Sequence, residues 1–348
     1  MVTPGTLYVH QSQRTDVIVT PVTRLAISAP DLEQSTYFHY SRPKTGPNGQ
    51  HNTSIIFNSP RTILWRLLTA AAGTGEILPI AAPAVNSSYE VQFWAPYVQC
   101  EEANTTVMGL IDQALPQTAV SEFGASLVYS GYFAYVPDGS PGRFGQPSQR
   151  DSNASRSSNE LWLSYKRNGT GWDTSVFPRC PNTEYLVCRL YNTSYHLHVS
   201  FLNGRMRIVY DNITDLTPVT YPAPVVDSTA PGELPRLSYT AWFWAFSDLL
   251  TGTMAMYAED VTDKSKHWFN MINSNIQNTA LLGSSDLNCF FASGWMYYNQ
   301  TFRTPTGQRL KDIDFARGGM RLEQLIPELS ANLTISLMTD ELLAYEIP

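Results

Sequence analysis

Two histidines two residues apart, His196 and His198, come nearest to a metal-binding pattern in this 348-residue chain. On a strand, residues i and i+2 point to one face, so both imidazoles could reach one ion. No third ligand lies nearby in sequence, and the pair reads as solvent-facing; His10, His39, His51 and His267 are isolated. Glu259-Asp260 with Asp263, and Asp312-x-Asp314, have the chemistry for calcium or for paired acid/base work. Neither ends in the Glu of a calcium loop, and both read as solvated loop carboxylates. Asp248 interrupts an apolar run; burial would raise its pKa, but an acid there also marks the solvent face of an amphipathic helix.

A serine nucleophile on an elbow needs Gly-x-Ser-x-Gly. Ser284 and Ser285 follow Gly283 without the second glycine, and Gly142 and Gly145 lie in a polar stretch, not after a strand. No catalytic residue, metal site or cofactor is therefore assigned. Trp242-Phe243-Trp244 and Trp295-Met296-Tyr297-Tyr298 have the ring content of a carbohydrate platform, with core packing as the competing explanation.

The strongest pattern is Asn-x-Ser/Thr, at Asn52, Asn86, Asn104, Asn153, Asn168, Asn192, Asn212, Asn299 and Asn332. These are nine of 19 asparagines, where a chain with 63 Ser and Thr gives about three by chance. The excess points to N-linked glycans and a eukaryotic secretory route. Cys100, Cys180, Cys188 and Cys289 fit that compartment as disulfide partners, since no C-x-x-C or Cys/His ligand spacing occurs. Three pairings are open. One joins Cys180 to Cys188 in a small loop and Cys100 to Cys289 across about 190 residues, constraining the unfolded chain by about 4–5 kcal/mol.

Composition narrows the class further. Charged residues are 15%, apolar residues 43%, and the net charge is −7. That balance argues against nucleic acid or an anionic membrane surface as the main partner. The first residues lack the basic start and apolar run of a leader, and the last ones lack a lipid-anchor tail. A secreted composition without either suggests a piece of a longer precursor, with any membrane association through an absent flanking segment.

These groups must be positioned by strands. Asn203-Gly204 suits a two-residue hairpin turn. Counting outward pairs Leu202 with Arg205, Phe201 with Met206, Val199 with Ile208 and Leu197 with Tyr210, the last three on one apolar face. Further strands are expected at Ser54–Phe57, Tyr89–Cys100, Ser126–Val136 and Leu161–Tyr165, with short helices at Arg61–Ala72 and Asn104–Leu115. Residues 137–159 read as a long exposed loop. Tyr239–Tyr257 is apolar but interrupted by Ser247, Asp248, Thr251 and Gly252, and reads as a buried helix, not a membrane span. Arg321–Met338 starts as a helix across Pro327, while Leu333, Ile335 and Leu337 alternate like a strand. The expected fold is mainly β (α+β), with antiparallel β-sandwich-like sheets and a few amphipathic helices packed on them. Residues 1–216 form a β-rich domain, 217–236 a Pro-rich connector, and 237–348 a smaller α+β part packed on the first.

The pieces Cys188-Arg189-Leu190-Tyr191-Asn192-Thr193-Ser194-Tyr195, Tyr239–Gly252 and Leu322–Leu337 resemble the large extracellular regions of uncharacterised fungal multi-pass membrane proteins. The opening Val2-Thr3-Pro4-Gly5-Thr6-Leu7 resembles the start of that region, just after a membrane span. The resemblance implies a cell-surface location and a transmembrane helix following this region. A deformylase-like label found in that group needs His-Glu-x-x-His, and no histidine here precedes a glutamate.

Together these features predict a glycosylated, non-catalytic extracellular or cell-surface structural or interaction protein, able to self-associate. Its expected partners are N-linked glycans, a second copy of itself or cell-wall polysaccharide. A carbohydrate-binding surface module is the first alternative and a secreted carboxylate-dependent hydrolase the second.

Overall fold

The computed structural model describes residues 22–25, 27, 37–43, 53–119, 126–137, 158–167, 182–210, 213–258, 268–287, 320–340 and 344–347. Among these residues the protein is mainly β, with antiparallel sheets in a sandwich-like arrangement and helices packed on them. The first strands are β1 (Val22–Leu25), β2 (Phe38–Ser41), β3 (Ser54–Pro60), β4 (Ser87–Glu102), β5 (Ser126–Tyr135) and β6 (Glu160–Arg167). Then come β7 (Asn182–Leu202), β8 (Arg205–Tyr210), β9 (Thr214–Pro218), β10 (Val226–Asp227), β11 (Gly252–Ala258), β12 (Trp268–Ser274) and β13 (Ala344–Ile347). The helices are α1 (Thr62–Thr74), α2 (Thr105–Ala119), α3 (Glu233–Leu250) and α4 (Leu322–Ser336). An eight-stranded sheet runs β12-β11-β5-β6-β7-β4, with β8 and β9 also on β7; β10-β3-β2 and β1-β13 form smaller sheets.

Strand β7 organises the large sheet. One side pairs with β4 from Leu186 to Phe201, while the other meets β6, then β9, then β8. The β7–β8 hairpin has the register read from its sequence, Leu202 to Arg205 through Leu197 to Tyr210. Its turn has positive φ at both Asn203 (51°) and Gly204 (73°), the geometry that Asn-Gly supplies.

The buried face of the β4–β7 ribbon changes along its length. Leu186, Cys188 and Leu190 are buried at one end, and Tyr195, Leu197, Val199 and Phe201, on the opposite side of the pleat, at the other. The change falls at Asn192–Ser194, opposite Pro96, where the pairing with β9 also shifts register. In the first half Cys100 lies directly across from Cys188, and the two form a disulfide with Cα atoms 3.9 Å apart. Among the open pairings this selects Cys100–Cys188, which excludes the small Cys180–Cys188 loop and the Cys100–Cys289 link. The sixteen-residue pairing, not closeness in sequence, selects the partner of Cys188. Cys180 and Cys289 lie outside the described residues.

The apolar run 239–257 is part helix and part strand: α3 ends at Leu250 and Gly252 opens β11. Helix α3 is buried on most of its surface, touching β2 and β3, α1, and the strands β4, β5 and β7. Helix α4 runs through Pro327 and stays helical to Ser336, so the alternation at its end is not a strand. It lies along β4, the end strand of the large sheet, and its hydroxyls stand where a neighbouring strand would. Val98 N–H donates to Ser330 Oγ (3.1 Å) and Thr334 Oγ1 donates to the Pro96 carbonyl (2.8 Å). Pro96 has no N–H to leave unpaired, and the covered edge is closed to another strand.

Leu64, Val98 and Leu186 share one continuous core with Leu237, Trp242 and Leu325, so side chains from both sides of the Pro-rich stretch pack together. Under α2 a satellite cluster joins Ile111 and Ala114 to Phe133 and Tyr135, which buries β5 on both faces. No helix among the described residues is long and apolar enough to cross a membrane.

Candidate interaction surface

Beyond Asn192, the face of β7 that was buried turns to solvent, and β4 and β8 widen it into a three-stranded platform. Glu90, His198 and Val209 sit across from one another, as do Ser88, Ser200 and Arg207. Gln92 faces His196, and Trp94 faces Ser194. Trp94 is 41% exposed, Val209 44%, and Leu202 at the hairpin tip 71%. Gln92 Nε2 donates to Ser194 Oγ (3.2 Å), and His198 Nδ1 lies 3.8 Å from Glu90 Oε1. His196 and His198 thus share an exposed face, as their spacing predicts, and no grouping of three metal-ligating residues occurs among the described residues. An indole beside amide and imidazole groups can stack and hydrogen-bond.

The other sequence candidates are placed differently. Trp242 and Phe243 are core residues, Trp242 stacking on Phe246 with ring centroids 5.1 Å apart, while Trp244 packs on Phe57 at 5.6 Å. They form no platform. The exposed ring is Trp94, whose signal in sequence was its place in the polar phase Glu90, Gln92, Trp94 of β4. Asp248 is half-buried on the same helix face as Trp244. Ser284 is fully buried and accepts from Leu287 N–H (3.2 Å), and Ser285 Oγ donates to the Met320 carbonyl (3.0 Å) just before α4, so both hydroxyls are engaged in the fold. Glu259, Asp260, Asp263, Asp312, Asp314 and residues 295–298 lie outside the described residues.

Two carboxylates do converge, Glu101 and Glu160, but both bind Arg189, with Arg189 Nε 2.8 Å from Glu160 Oε1. That is a cross-strand ion-pair ladder in which the arginine holds both acids as partners. A buried acid that sequence reasoning missed is Asp286, whose Oδ2 accepts from Leu322 N–H (2.8 Å) at the start of α4. Burial pushes its pKa up, opposed by that N–H and by the Arg167 charge. Nothing in the spacing around Asp286 marked it, because its partner is 36 residues away.

The sequons divide by geometry. Asn86 and Asn104 are exposed; their Oδ1 atoms accept from Asn203 N–H (2.8 Å) and Val107 N–H (3.0 Å). Asn192 is half-buried, with Oδ1 accepting from the hydroxyl of the buried Tyr239 on α3 (2.9 Å). Asn332 is buried, and its Nδ2 donates to the Gly75 carbonyl (3.0 Å). Nδ2 is the atom that carries an N-linked glycan, and at Asn332 it is engaged in packing α4 against the end of α1. Asn52, Asn153, Asn168, Asn212 and Asn299 lie outside the described residues. Comparison of the chain with family models, curated proteins and solved structures returned no match.

Proposed function

We propose that this chain is a glycosylated interaction module of a cell surface or extracellular space, and that the β4–β7–β8 platform is its contact face. The observation that carries this reading is the solvent-facing platform with Trp94, Leu202 and Val209 among polar side chains. Trp94, Val209 and Leu202 share one face of a rigid ribbon at every fourth row of β7, spaced apolar contacts set in a polar surface. The excess of sequons and the Cys100–Cys188 bond support an oxidising, secretory compartment. The resemblance to fungal extracellular regions supports a place beside a membrane, anchored through a flanking segment. In this reading the partner is a second copy of the chain. Light scattering of the secreted protein after glycan removal tests it. A species larger than the 38.9 kDa chain that reverts to monomer in Trp94→Ala and Leu202→Ser variants is expected; a monomer at all concentrations sinks self-association.

Trp94 beside Gln92 and His196 favours one second reading, recognition of a polysaccharide by the same face. An indole stacks on a sugar ring while amide and imidazole groups bond its hydroxyls. Quenching or shift of tryptophan emission on adding soluble cell-wall glucans, lost in Trp94→Ala, separates this reading from self-association.

A further inference from the structure

We infer that the folded chain takes N-linked glycans at Asn86 and Asn104 and excludes them at Asn192 and Asn332, so that of these four sites only the two at the ends of β4 carry sugar. The inference rests on the secretory reading above and goes further by assigning the acceptors. A glycan needs an asparagine Nδ2 open to solvent, with room beside the hydroxyl two residues on. At Asn86 a backbone N–H donates to Oδ1, which fixes the amide orientation and leaves Nδ2 pointing away. The same holds at Asn104, where Oδ1 accepts from Val107 N–H in the first turn of α2. The paired hydroxyls of Ser88 and Thr106 are exposed too.

The other two are closed, Asn332 at both ends of the motif and Asn192 by its half-buried place in the sheet and its buried partner hydroxyl. Asn332 spends its Nδ2 on a buried carbonyl, and its partner Thr334, fully buried, donates to Pro96. Asn192 sits in the middle of β7 between Pro96 of β4 and Thr217 of β9, with its side chain under Tyr239. Its partner Ser194 is buried and accepts from Gln92. A sugar at either position would have to lift α3 or α4 off the sheet. Asn86 and Asn104 stand just outside the two ends of the sixteen-residue β4, about 50 Å of strand apart, with Asn86 next to the platform row of Ser88 and Asn104 at the far end.

The test is site occupancy in the whole chain, directed through the secretory pathway of a eukaryotic host, recovered from the medium and treated with a peptide N-glycosidase. The enzyme converts each occupied asparagine to aspartate, which peptide mass spectrometry reads site by site. Conversion at Asn86 and Asn104 with none at Asn192 or Asn332 is the expected result. Conversion at Asn192 or Asn332 in secreted, folded protein overturns the assignment, and so does an unmodified Asn86 or Asn104 when other sequons are occupied. A chain with none of its nine sequons modified overturns the secretory reading itself, and is distinguishable from those outcomes. As a second check, Asn86→Gln and Asn104→Gln should each lose one glycan's mass on a gel, while Asn332→Gln should lose none.

Discussion

The end of β7 and the end of α4 carry the same sequence pattern and use it in opposite ways. Residues 196–201 alternate His196, His198 and Ser200 with Leu197, Val199 and Phe201; residues 329–337 alternate Ser330, Asn332, Thr334 and Ser336 with Leu329, Ala331, Leu333, Ile335 and Leu337. In the strand, alternation sorts polar from apolar, and the histidines face water. In the helix, successive side chains step around the axis, so alternation sorts nothing, and every one of those nine residues is buried. The helix tolerates this because its polar side chains are small and each meets a backbone group. Ser330 accepts from Val98, Asn332 donates to Gly75, Thr334 donates to Pro96 and Ser336 accepts from Leu78. Buried polar groups are stable where partnered. Large titratable imidazoles in those places would not be.

Both patterns depend on the register of β4 against β7, and the sharpest way to break the contrast is to release that register. The Cys100–Cys188 bond spans 88 residues and locks opposed positions of the two strands. Replacing both cysteines with alanine should lower stability by about 4.6 kcal/mol in the entropic account, measured by denaturant unfolding of oxidised protein. A one-residue slip would also exchange faces along the whole ribbon. Hydrogen exchange of Val98 N–H should then accelerate more than that of the β7–β8 turn. An unchanged unfolding midpoint would show that the strand pairing alone sets the register.

A smaller effect separates the two stripes directly. Asn332→Ala strips the Gly75 carbonyl of its donor in a buried setting and leaves a small void, for a cost of about 2–3 kcal/mol. Ser330→Ala leaves Val98 N–H without its acceptor, for about 1–3 kcal/mol. If both changes prove neutral in urea unfolding, the α4 stripe is not holding the edge of β4.

These positions also show how far the sequence could be read. The hairpin was legible in full because turn chemistry and alternation are local and agree at Asn203-Gly204. Helix α1, expected at Arg61–Ala72, was legible too; it runs Thr62–Thr74 and closes at Gly75, where φ is 69°. The Cys100–Cys188 pair was not, since it follows from a strand pairing between segments far apart in the chain. Nor was the burial of Asn332, which has the letters of a glycosylation motif and the alternation of a strand. Trp94 was legible in principle, at a polar position of β4, but the denser aromatic runs at 242–244 drew attention to rings that the core needed. Asp286 carried no local signal at all.

The start of α4 offers a test by pH. Burial raises the pKa of Asp286 above its ordinary value of 3.8, so the folded chain holds that proton more tightly than the unfolded one. Its contribution is most favourable below the unfolded value and is lost as pH rises through the folded one. Asp286→Asn keeps an oxygen to accept from Leu322 N–H and removes the buried charge. The variant should melt at or above the wild-type temperature at neutral pH, with a flatter fall in stability between acid and neutral conditions. A marked drop in melting temperature at neutral pH would mean that the ionised carboxylate itself holds the helix start.

The smallest expected effect is on the exposed stripe. His198 lies 3.8 Å from Glu90 with half of its side chain accessible, and exposed pairs of this kind contribute little. His198→Ala and His196→Ala should each change stability by no more than about 0.5 kcal/mol. If the platform is the contact face, the same two variants should weaken association or polysaccharide binding while leaving the unfolding curve in place. Stability and binding would then separate on β7 in a way they cannot on α4, where the polar side chains are spent on the fold. A loss of stability without any change in binding would put His196 and His198 with the α4 stripe, as parts of the scaffold.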